Sequence, residues 1–525
     1  MYLPKMKYAD GIRKYSAVTF GGYNHTLRAG DGEIFDMKNL TGDYYPVLSP
    51  RKKRRFLRTL AKPNGIYGRD GLYWVDGTGF YKDGALKGTV EDSPKTFESL
   101  GAYIIILPDK KVYNSVTDEL VDIERSWEGS VKIQDGTYAG EAAAANTIHA
   151  AGVNWAEIFK EGDAVAISGC VTHEENNRTP IIREIDGEYL RFYENVFVIS
   201  SGGDSETVTI QRQMPDLDYI CQNENRLWGV KGDTVYASKL GDPFNWNVFD
   251  GLATDSYAVD VGSAEDFSGI ASYLGYPVCF KSENIYKVYG DRPANFQIMG
   301  SATLGVAEGS HKSLAIAGET LFYLSRVGIV AYTGGMPANL AAPFGDARYK
   351  NAVAGSDGVK YYISMESSEG WELFVYDTRS GLFHKEDNTH VLGWAWNDGL
   401  YMLTAGGEIW ITGESPTIPE GTTEEAHFLS MAEFADFIES SPDKKGTGKI
   451  QVRMELEAGA SVKIEMMFDS DGAWQEVKTL TTTVKRSFYL PIIPRRSDHF
   501  KIRFTGEGDW KLYSLVRESY SGSEL

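Results

Sequence analysis

Pairs of short apolar runs, each pair separated by turn residues, recur along this chain. In "GLYWVDGTGFYKDG" (residues 71–84), one apolar run ends at Asp76-Gly77, and a second, Phe80-Tyr81, is followed by Asp83-Gly84. Two apolar runs joined by Asp-Gly or similar turn residues are typical of a β-hairpin. Six further hairpins of this kind are predicted at residues 103–114, 225–238, 276–290, 320–334, 359–377 and 399–413.

The spacing of the hairpins predicts how they assemble. From Val278 to Leu321, Tyr361 and Leu400, the successive intervals are about 43, 40 and 39 residues, within the range of a four-stranded propeller blade. A unit this small cannot bury both of its faces alone and must stack on its neighbours. We therefore predict an all-β protein with a β-propeller of seven blades (six as the fallback), in which the hairpins are the inner strands and their aromatics form the core between blades. A β-sandwich array is the less favoured alternative.

The N-terminal segment is expected to close this propeller. The stretch "GEIFDMKNLTGDYYPVLSP" (residues 32–50) belongs to no hairpin of its own. Because radial closure leaves few free sheet edges, we expect residues 34–48 to complete the last blade beside residues 394–410. The propeller would then cover about residues 30–414.

Two regions depart from the blade period. Residues 127–214 alternate strand-like runs with Gly-Asp turns and are predicted to form a small β-barrel inserted into a blade loop. Residues 415–525 begin with the Pro- and Thr-rich linker "SPTIPEGTTEEAH" and continue with alternating runs that indicate an antiparallel β-sandwich. The domains are thus 1–126 (N-terminal segment and first blades), 127–214 (barrel), 215–414 (remaining blades) and 415–525 (linker and sandwich).

One stretch of the C-terminal region suits either a helix or a strand. In "FLSMAEFADFIE" (residues 428–439) the apolar spacing would also fit a helix. We predict a strand, because "SSPDKKGTGK" after it looks like a hairpin loop that leads into "KIQVRMELE" (residues 449–457).

Charge and cysteine content narrow the partners. The 525 residues include 53 basic and 73 acidic residues, for a net charge of −20, and such a surface repels nucleic acid and anionic membranes in general. The three cysteines, Cys170, Cys221 and Cys279, are far apart and are expected to be buried reduced thiols. The N-terminus has no apolar signal segment, and no apolar run is long enough to span a bilayer. We therefore expect a protein that folds in a reducing cytosol and is not embedded in a membrane.

No motif predicts catalysis, a cofactor or a metal site. His173-Glu174-Glu175 lacks the second histidine of a metalloprotease helix, and Gly77-Thr78-Gly79 is not followed by the helix that a dinucleotide fingerprint requires. Asp469-Ser470-Asp471-Gly472 resembles the start of a calcium loop without its downstream Glu and is predicted to be a hairpin turn. A propeller glycosidase, which needs two carboxylates facing a pocket, is the least favoured alternative. We expect no enzyme.

One basic run stands out in the acidic chain. Six of the eight residues 51–58 in "RKKRRFLR" are cations. No stacking aromatics alternate with them, as readers of single-stranded nucleic acid require, so we predict contact with an acidic neighbouring subunit. A solvated strand edge protected by its charges is the alternative. The candidate subunit-contact residues are Arg51, Lys52, Lys53, Arg54, Arg55 and Arg58.

Four segments of the sequence resemble structural proteins of tailed phages. They are "GEIFDMKNLTGDYYPVLSPRKKRRFL" (32–57), "NENRLWGV" (223–230), "SKLGDPFNWNVF" (238–249) and "RRSDHFKIRFTGEGDWKLYSLVRE" (495–518). The proteins that they resemble are the packaged-DNA stabilisation and tail-hub or nozzle propellers below the portal. The motif "GDPFNW" followed by an aromatic strand is the most specific of them, and the resemblance is weaker in the barrel.

The resemblance implies a non-enzymatic component of the virion that forms a ring, as a hexamer, around the DNA exit path of a phage tail. Its partners would be further copies of itself, the portal or adaptor, other tail proteins, and double-stranded DNA that passes without sequence-specific binding. The net acidic charge is compatible with this role, because an acidic wall lets the polyanion slide. The alternative is a tail-tip propeller that recognises a host-surface glycan with Trp and Tyr at strand ends.

Overall fold

The structure, a computed structural model, describes residues 12–26, 29–138, 141–193, 195–413, 418–438, 444–481, 483, 485–493 and 495–521. Its regular elements are antiparallel β-strands. The helical elements in these residues are short 3-10 turns at Trp155–Glu157, Glu174–Asn176, Pro293–Asn295, His311–Ser313 and Ala342–Phe344. The described part of the chain contains no helix with the length and hydropathy needed to cross a membrane. The chain divides into two compact units, residues 73–307 and residues 1–72 with 308–525.

Seven sheets among the described residues repeat one antiparallel strand order and are the blades of a β-propeller. Their strands, in sheet order, are Pro63–Gly68, Leu72–Asp76, Gly79–Lys82 and Ala85–Thr89 (blade 1); Thr96–Leu100, Tyr103–Leu107, Lys111–Asn114 and Glu119–Asp122 (blade 2); Tyr219–Asn223, Arg226–Lys231, Thr234–Ala237 and Tyr257–Asp260 (blade 3); Gly269–Tyr273, Tyr276–Phe280, Asn284–Tyr289 and Gln297–Ala302 (blade 4); Ala315–Ala317, Thr320–Ser325, Gly328–Tyr332 and Ala338–Asn339 (blade 5); Lys350–Ser356, Lys360–Ser367, Gly370–Asp377 and Leu382–Asp387 (blade 6); and Val391–Trp396, Leu400–Thr404, Glu408–Thr412, Arg55–Thr59 and Thr423–Glu424 (blade 7). The predicted all-β propeller is confirmed. Each predicted hairpin supplies the second and third strands of its blade, and the first strands of adjacent blades pack together, as Lys350–Ser356 does with Val391–Trp396.

Aromatic residues of the hairpins pack between neighbouring blades. In the blade 1 hairpin, Tyr73, Val75 and Phe80 have no exposed surface. The ring centroid of Phe80 lies 5.3 Å from that of Tyr113 in blade 2, and Tyr73 lies 5.9 Å from the same ring, both edge to face. Such pairs contribute about 0.5–1.5 kcal/mol each beyond the burial of their area. The aromatics of this hairpin therefore join one blade to the next.

The strand that completes blade 7 is not the one that we expected. Arg55–Thr59 pairs with Glu408–Thr412, so that Phe56 lies opposite Trp410. The expected segment lies elsewhere, since Ile34–Lys38 pairs with Leu429–Phe434 in the C-terminal domain. Long-range packing decides this outcome, because Ile34 and its neighbours share the apolar core of that domain.

Residues 125–212 form a small closed barrel. Its six strands, in sheet order, are Ala166–Ser168, Asp204–Arg212, Arg125–Gly136, Ala144–His149, Tyr189–Phe192 and Ile182–Asp186. Backbone hydrogen bonds join the two ends of this order: Val165 N donates to Pro180 O at 3.1 Å, and Ile167 N donates to Arg178 O at 2.8 Å. The barrel has an apolar core of its own around Trp155.

The C-terminal domain is built from two five-stranded sheets that share one apolar core. The strands of the first sheet, in sheet order, are Arg13–Ala17, Trp510–Ser521, Lys445–Leu456 and Arg486–Tyr489, and Arg496–Ser497 also pairs with Lys445–Leu456. The strands of the second sheet are Ile34–Lys38, Leu429–Phe434, Phe500–Glu507, Ser461–Phe468 and Gln475–Leu480. A two-stranded ribbon of Leu40–Thr41 and Ser49–Pro50 follows the first strands of the chain. Leu429–Phe434 is a strand, as predicted, but it forms no hairpin with Lys445–Leu456, because the two strands belong to different sheets.

Candidate functional site

The basic run lies where the N-terminal segment enters blade 7. Arg55–Thr59 is flanked on one side by Glu408–Thr412 and on the other by Thr423–Glu424. The ring of Phe56 packs edge to face on Trp410 at 5.3 Å. Thr423–Glu424 pairs with Arg55 and Phe56 only, so the alternative of an exposed strand edge is wrong at these two residues and stays a prediction for residues 57–59.

Two arginines of the run are held inside the chain. Arg51 makes a two-pronged contact with Glu425, with Nη1 donating to Oε2 at 2.7 Å and Nη2 to Oε1 at 2.9 Å. Arg54 donates from Nη2 to Glu386 Oε2 at 2.6 Å, and its Nη1 lies 2.7 Å from Asp387 Oδ2. Both arginines are only 5% exposed. We call these five residues the arginine joint; they tie the N-terminal segment to blade 6 and to the segment after blade 7.

The pKa values of two carboxyls in the arginine joint reflect this pairing. Burial by itself would raise the pKa of Asp387, but the charge of Arg54 and hydrogen bonds from Thr389 hold it below its usual value. Glu425 behaves in the same way: burial raises its pKa, and the hydrogen bond and charge of Arg51 lower it to a greater extent. Both groups are therefore ionised partners of the arginines at neutral pH.

The buried arginines correct part of the site prediction. Arg51 and Arg54 are buried and paired with carboxylates of their own chain, so their guanidinium groups are not at the surface for a second subunit. Lys53 and Arg55 are about one-third exposed and lie 3.5 and 3.9 Å from the exposed Glu424. Lys52 is exposed and Arg58 is partly buried. A subunit-contact role for Lys52, Lys53, Arg55 and Arg58 stays a prediction.

A cleft of about 340 Å³ opens beside the arginine joint, with Lys52, Asp43, Lys360 and Arg379 in its walls. Lys360 forms an ion pair with Asp43, and Arg379 lies 3.6 Å from the same carboxylate. Burial would raise the pKa of Asp43, but Lys360 lowers it. Cations and carboxylates are thus matched within this wall, which is the arrangement of a structural joint.

Sequence reasoning missed the acidic half of the arginine joint. Glu386 and Asp387 lie in "HKEDNTH" at the end of blade 6, and Glu425 lies in the predicted linker. The weak signal was that each is part of an adjacent pair of acids, Glu386-Asp387 and Glu424-Glu425. With 73 acidic residues in the chain, such pairs do not single out a partner.

A second joint holds the barrel to blade 3. The side chain of Arg212 donates to Asp163 Oδ2 at 2.6 Å and to Ile123 O at 2.8 Å. Asn245, from the "GDPFNW" motif, accepts a hydrogen bond from Ala164 N at 2.9 Å. Asp163, Arg212 and Asn245 are all at most 5% exposed, and we call them the barrel joint.

Hydrogen bonds within and around the "GDPFNW" motif hold Asn245 in place for this joint. The indole of Trp246 is buried and donates to Pro243 O at 3.0 Å, and Asn245 Nδ2 donates to Asp242 Oδ2 at 2.6 Å. Arg226 of blade 3 binds the far end of the same loop, donating to Ala253 O at 2.7 Å. The most specific motif of the sequence therefore positions the barrel against blade 3.

The other motifs have structural places. Asp469 and Ser470 have φ of 51° and 50° in the turn between Ser461–Phe468 and Gln475–Leu480, so the predicted hairpin turn is confirmed. In the described residues, Asp469, Asp498 and His499 are the one group that brings three possible metal-ligand atoms together. His499 Nε2 lies 2.7 Å from Ser470 Oγ, and Asp498 N donates to Asp469 at 2.9 Å, which are contacts within the turn region. The three cysteines are buried and form no disulfide.

Comparisons with known proteins give distant likenesses to solved structures. No protein-family model and no curated protein matches the chain. Similar solved structures include PorZ, a surface component of the type-IX secretion system of Porphyromonas gingivalis, at 12% identity over 87% of this chain and 77% of that chain, with a TM-score of 0.27. The β-propeller domain of the trilobed protease from Pyrococcus furiosus is 10% identical over 63% of this chain and 96% of its own, with a TM-score of 0.29. An exo-β-1,3-galactanase from Phanerochaete chrysosporium is 8% identical over 57% of this chain and 94% of its own, with a TM-score of 0.22. Likenesses this distant carry no argument about activity.

Proposed function

We propose that this protein is a structural component of a phage tail that assembles into a ring near the portal and surrounds the path of the exiting DNA. The proposal starts from the resemblance of four sequence segments to phage structural propellers. Its partners would be further copies of the chain and the adjoining portal or adaptor, with double-stranded DNA passing through without being read.

The observation that carries the proposal is where the resembling segments lie. Residues 32–57 run from a strand of the C-terminal domain into the fourth strand of blade 7. The loop with "GDPFNW" supplies Asn245 to the barrel joint. Residues 495–518 contain most of Phe500–Glu507 and Trp510–Ser521, which are interior strands of the two C-terminal sheets. The likeness thus concentrates on segments that join and support domains, as expected of a scaffold.

The surface charge supports an assembly role. At a net charge of −20, copies of this chain repel one another unless cations at the contact offset the repulsion. Lys53, Arg55 and Arg58 belong to the part of the basic run that remains at least partly exposed. In a ring they would meet an acidic face of the neighbouring copy, and this pairing would fix the register of the subunits.

Particle imaging and native mass spectrometry test the proposal. We expect the purified chain to form closed rings with a central hole at low ionic strength. A triple variant with Lys53, Arg55 and Arg58 changed to Ser should shift the population toward monomer. Its matched control changes Lys14, Arg292 and Lys449, which are more than half exposed, to Ser and should leave the rings intact.

Two results would overturn the proposal. One is a chain that stays monomeric at every salt concentration and also when mixed with portal or adaptor proteins. The other is hydrolysis of a host glycan by the purified protein that is abolished by a single carboxylate substitution, which would favour a propeller glycosidase.

A further inference from the structure

One outer strand of the propeller has an open and exposed edge. Gln297–Ala302 is the fourth strand of blade 4 and pairs on one side with Asn284–Tyr289. Within the described residues, no strand pairs with its other side. Five of its six residues are exposed, among them Met299 at 60%. A free edge of this kind is a template for a strand from another chain.

The outer strands of the other blades carry features that hinder pairing between sheet edges. Ala338–Asn339 in blade 5 has two residues, and a bulge at Lys87 interrupts Ala85–Thr89 in blade 1. The outer strands of blades 2, 3, 6 and 7 contain charged residues, which are Glu119, Asp122, Asp260, Lys385, Glu386, Asp387 and Glu424. Short strands, bulges and charges are the usual protections of a sheet edge.

The outer strand of blade 4 lacks all three protections. Gln297–Ala302 has six residues and pairs with its neighbour without a shift in register. Residues 293–307, which include this strand and its flanks, contain no Asp, Glu, Lys or Arg, although charged residues are 24% of the chain. On a protein with a net charge of −20, two copies can approach here without bringing like charges of these segments together.

The hydrogen bond that follows this strand shows which backbone groups face outward. Thr303 N donates to Glu283 O at 3.0 Å, next to the last pair of the strand, Ala302 with Asn284. Hydrogen-bonded pairs alternate with non-bonded pairs along an antiparallel ladder. Ala302 is therefore in a non-bonded pair, and its N–H and C=O groups point away from the blade.

The same alternation makes the open edge complementary to itself. Ile298, Gly300 and Ala302 present their N–H and C=O groups at this edge. If the strand of a second copy lies antiparallel to it and is centred on Gly300, Ile298 of one copy faces Ala302 of the other, and the two Gly300 residues face each other. Each facing pair can then exchange both of its backbone hydrogen bonds.

We propose that the open edge of blade 4 binds a second copy of this chain, with the two Gln297–Ala302 strands paired antiparallel about a twofold axis at Gly300. A ring requires two different faces on each copy, whereas this contact joins the same strand of two copies. The inference therefore goes beyond the proposed ring and does not depend on it.

The side chains suit this register. In the blade, Gly300 lies opposite Tyr286, and a Cβ at Gly300 would lie 2.6 Å from Tyr286 Cε1. The tyrosine ring thus occupies the place of a side chain, and no side chain of Gly300 stands between the two strands at the axis. Met299 lies opposite Ser301 of the second copy, so its exposed apolar side chain gains burial in the pair.

Ionic strength separates this contact from the proposed ring contact. The ring contact joins cations to an acidic face and weakens as salt rises. The paired strands are uncharged, so salt mainly screens the repulsion between two copies of net charge −20 and strengthens the pairing.

Sedimentation velocity of the full-length protein over a concentration series, at low and high salt, tests the proposal. We expect a monomer–dimer equilibrium that shifts toward dimer as salt rises. The double variant Met299→Lys with Ser301→Lys should weaken the dimer by at least about tenfold, because like charges that face each other across an interface are strongly unfavourable. Both positions are exposed, so its denaturation midpoint should match that of the wild type. The matched control, Ala85→Lys with Leu86→Lys at exposed positions of the outer strand of blade 1, should leave the dimer unchanged.

Cysteine cross-linking tests the register. Met299 of one copy faces Ser301 of the other, so a mixture of Met299→Cys and Ser301→Cys proteins should form a disulfide-linked dimer on oxidation. Each variant alone should not, because identical positions are offset along the paired strands. The three native cysteines are buried and should not contribute.

Three results would overturn the proposal. One is a chain that stays monomeric at every concentration and salt, and another is a dimer that the double Lys variant leaves unchanged. The third is a monomeric chain whose binding to a portal or adaptor protein is lost in the double Lys variant, which would assign the edge to that partner.

Discussion

The arginine joint and the barrel joint both bury arginines, but they are built differently. In the arginine joint two arginines face three carboxylates, and the bond from Arg54 to Glu386 spans 332 positions of the chain. In the barrel joint a single carboxylate, Asp163, faces Arg212 across 49 positions, and backbone carbonyls such as Ile123 O satisfy the rest of the guanidinium. The first joint depends on charge from distant segments, while the second depends to a greater degree on neutral backbone acceptors.

This difference predicts unequal responses to the loss of charge. A buried ion pair that loses one partner leaves an uncompensated charge in a low-dielectric environment. Neutral acceptors reduce that penalty, because they still accept hydrogen bonds from the charged side chain that remains. The arginine joint should therefore be the more sensitive of the two to substitution and to acid.

The largest effect is expected from Arg54→Ala. It leaves Glu386 and Asp387, which are 8% and 15% exposed, without their main partner, and should lower the free energy of unfolding by about 3–5 kcal/mol. Chemical denaturation followed by tryptophan fluorescence measures this loss. The control is Arg55→Ala, whose pair with Glu424 is exposed and should be worth less than about 1 kcal/mol. Equal losses in the two variants would contradict the importance given to burial.

A smaller loss is expected from Asp163→Ala in the barrel joint. Arg212 keeps Ile123 O as an acceptor, so the cost should be about 1.5–3 kcal/mol, that of a charged hydrogen bond. Limited proteolysis should show the barrel cleaved sooner than the rest of the chain. The partly exposed pair of Arg191 and Glu184 offers a control, Glu184→Ala, which should change little. A loss as large as that of Arg54→Ala would remove the distinction between the joints.

Deletion of the barrel should cost still less. Arg125 and Arg212 are opposite each other on adjacent strands, so residues 127–210 can be replaced by a short Gly-Ser bridge between neighbouring ends. Asn245 then loses its bond with Ala164, and Arg212 loses Asp163. Water takes the place of the barrel at both side chains, so neither is left buried and the expected loss is about 1 kcal/mol. The shortened chain should be expressed in soluble form and unfold cooperatively. Aggregation of this variant would show that the barrel is needed for the blades to fold.

The smallest effect is expected in acid. It is a change in how much the free energy of unfolding differs between the wild type and Arg54→Ala. The pKa values of Asp387 and Glu425 are lowered in the folded state, so the stability that they contribute is complete above their unfolded pKa of about 4 and is lost as the pH falls through the folded values. In Arg54→Ala these carboxyls lose a partner and protonate at higher pH. The difference in free energy of unfolding between the wild type and Arg54→Ala should therefore become smaller as the pH falls from 7 toward 4. Chemical denaturation at a series of pH values measures this difference. A difference that stays constant across the range would contradict the pairing of Arg54 with these carboxylates.

The blades were predictable because their signals are local. The two turns that follow in blade 1 need left-handed backbone, at Gly77 with φ of 59° and at Asp83 with φ of 48°. Gly and Asp are residues that adopt it at low cost. The apolar runs on either side are buried because they alternate with such turns at a steady interval. Position along the chain was enough to assign the hairpins to blades.

The sequence by itself determined the strands, the turns and the stacking of repeated units, since each depends on neighbours a few residues apart. Only the tertiary structure decided that residues 55–59 rather than 34–48 complete blade 7, and that Arg51 and Arg54 are buried while Lys52 is exposed. These outcomes depend on Glu386, Asp387, Glu425 and the C-terminal core, which lie more than 300 positions away along the chain. The burial of a cation in a basic run cannot be predicted from its neighbours in the sequence. The carboxylate that compensates its desolvation comes from a distant segment and reaches it only in the folded chain.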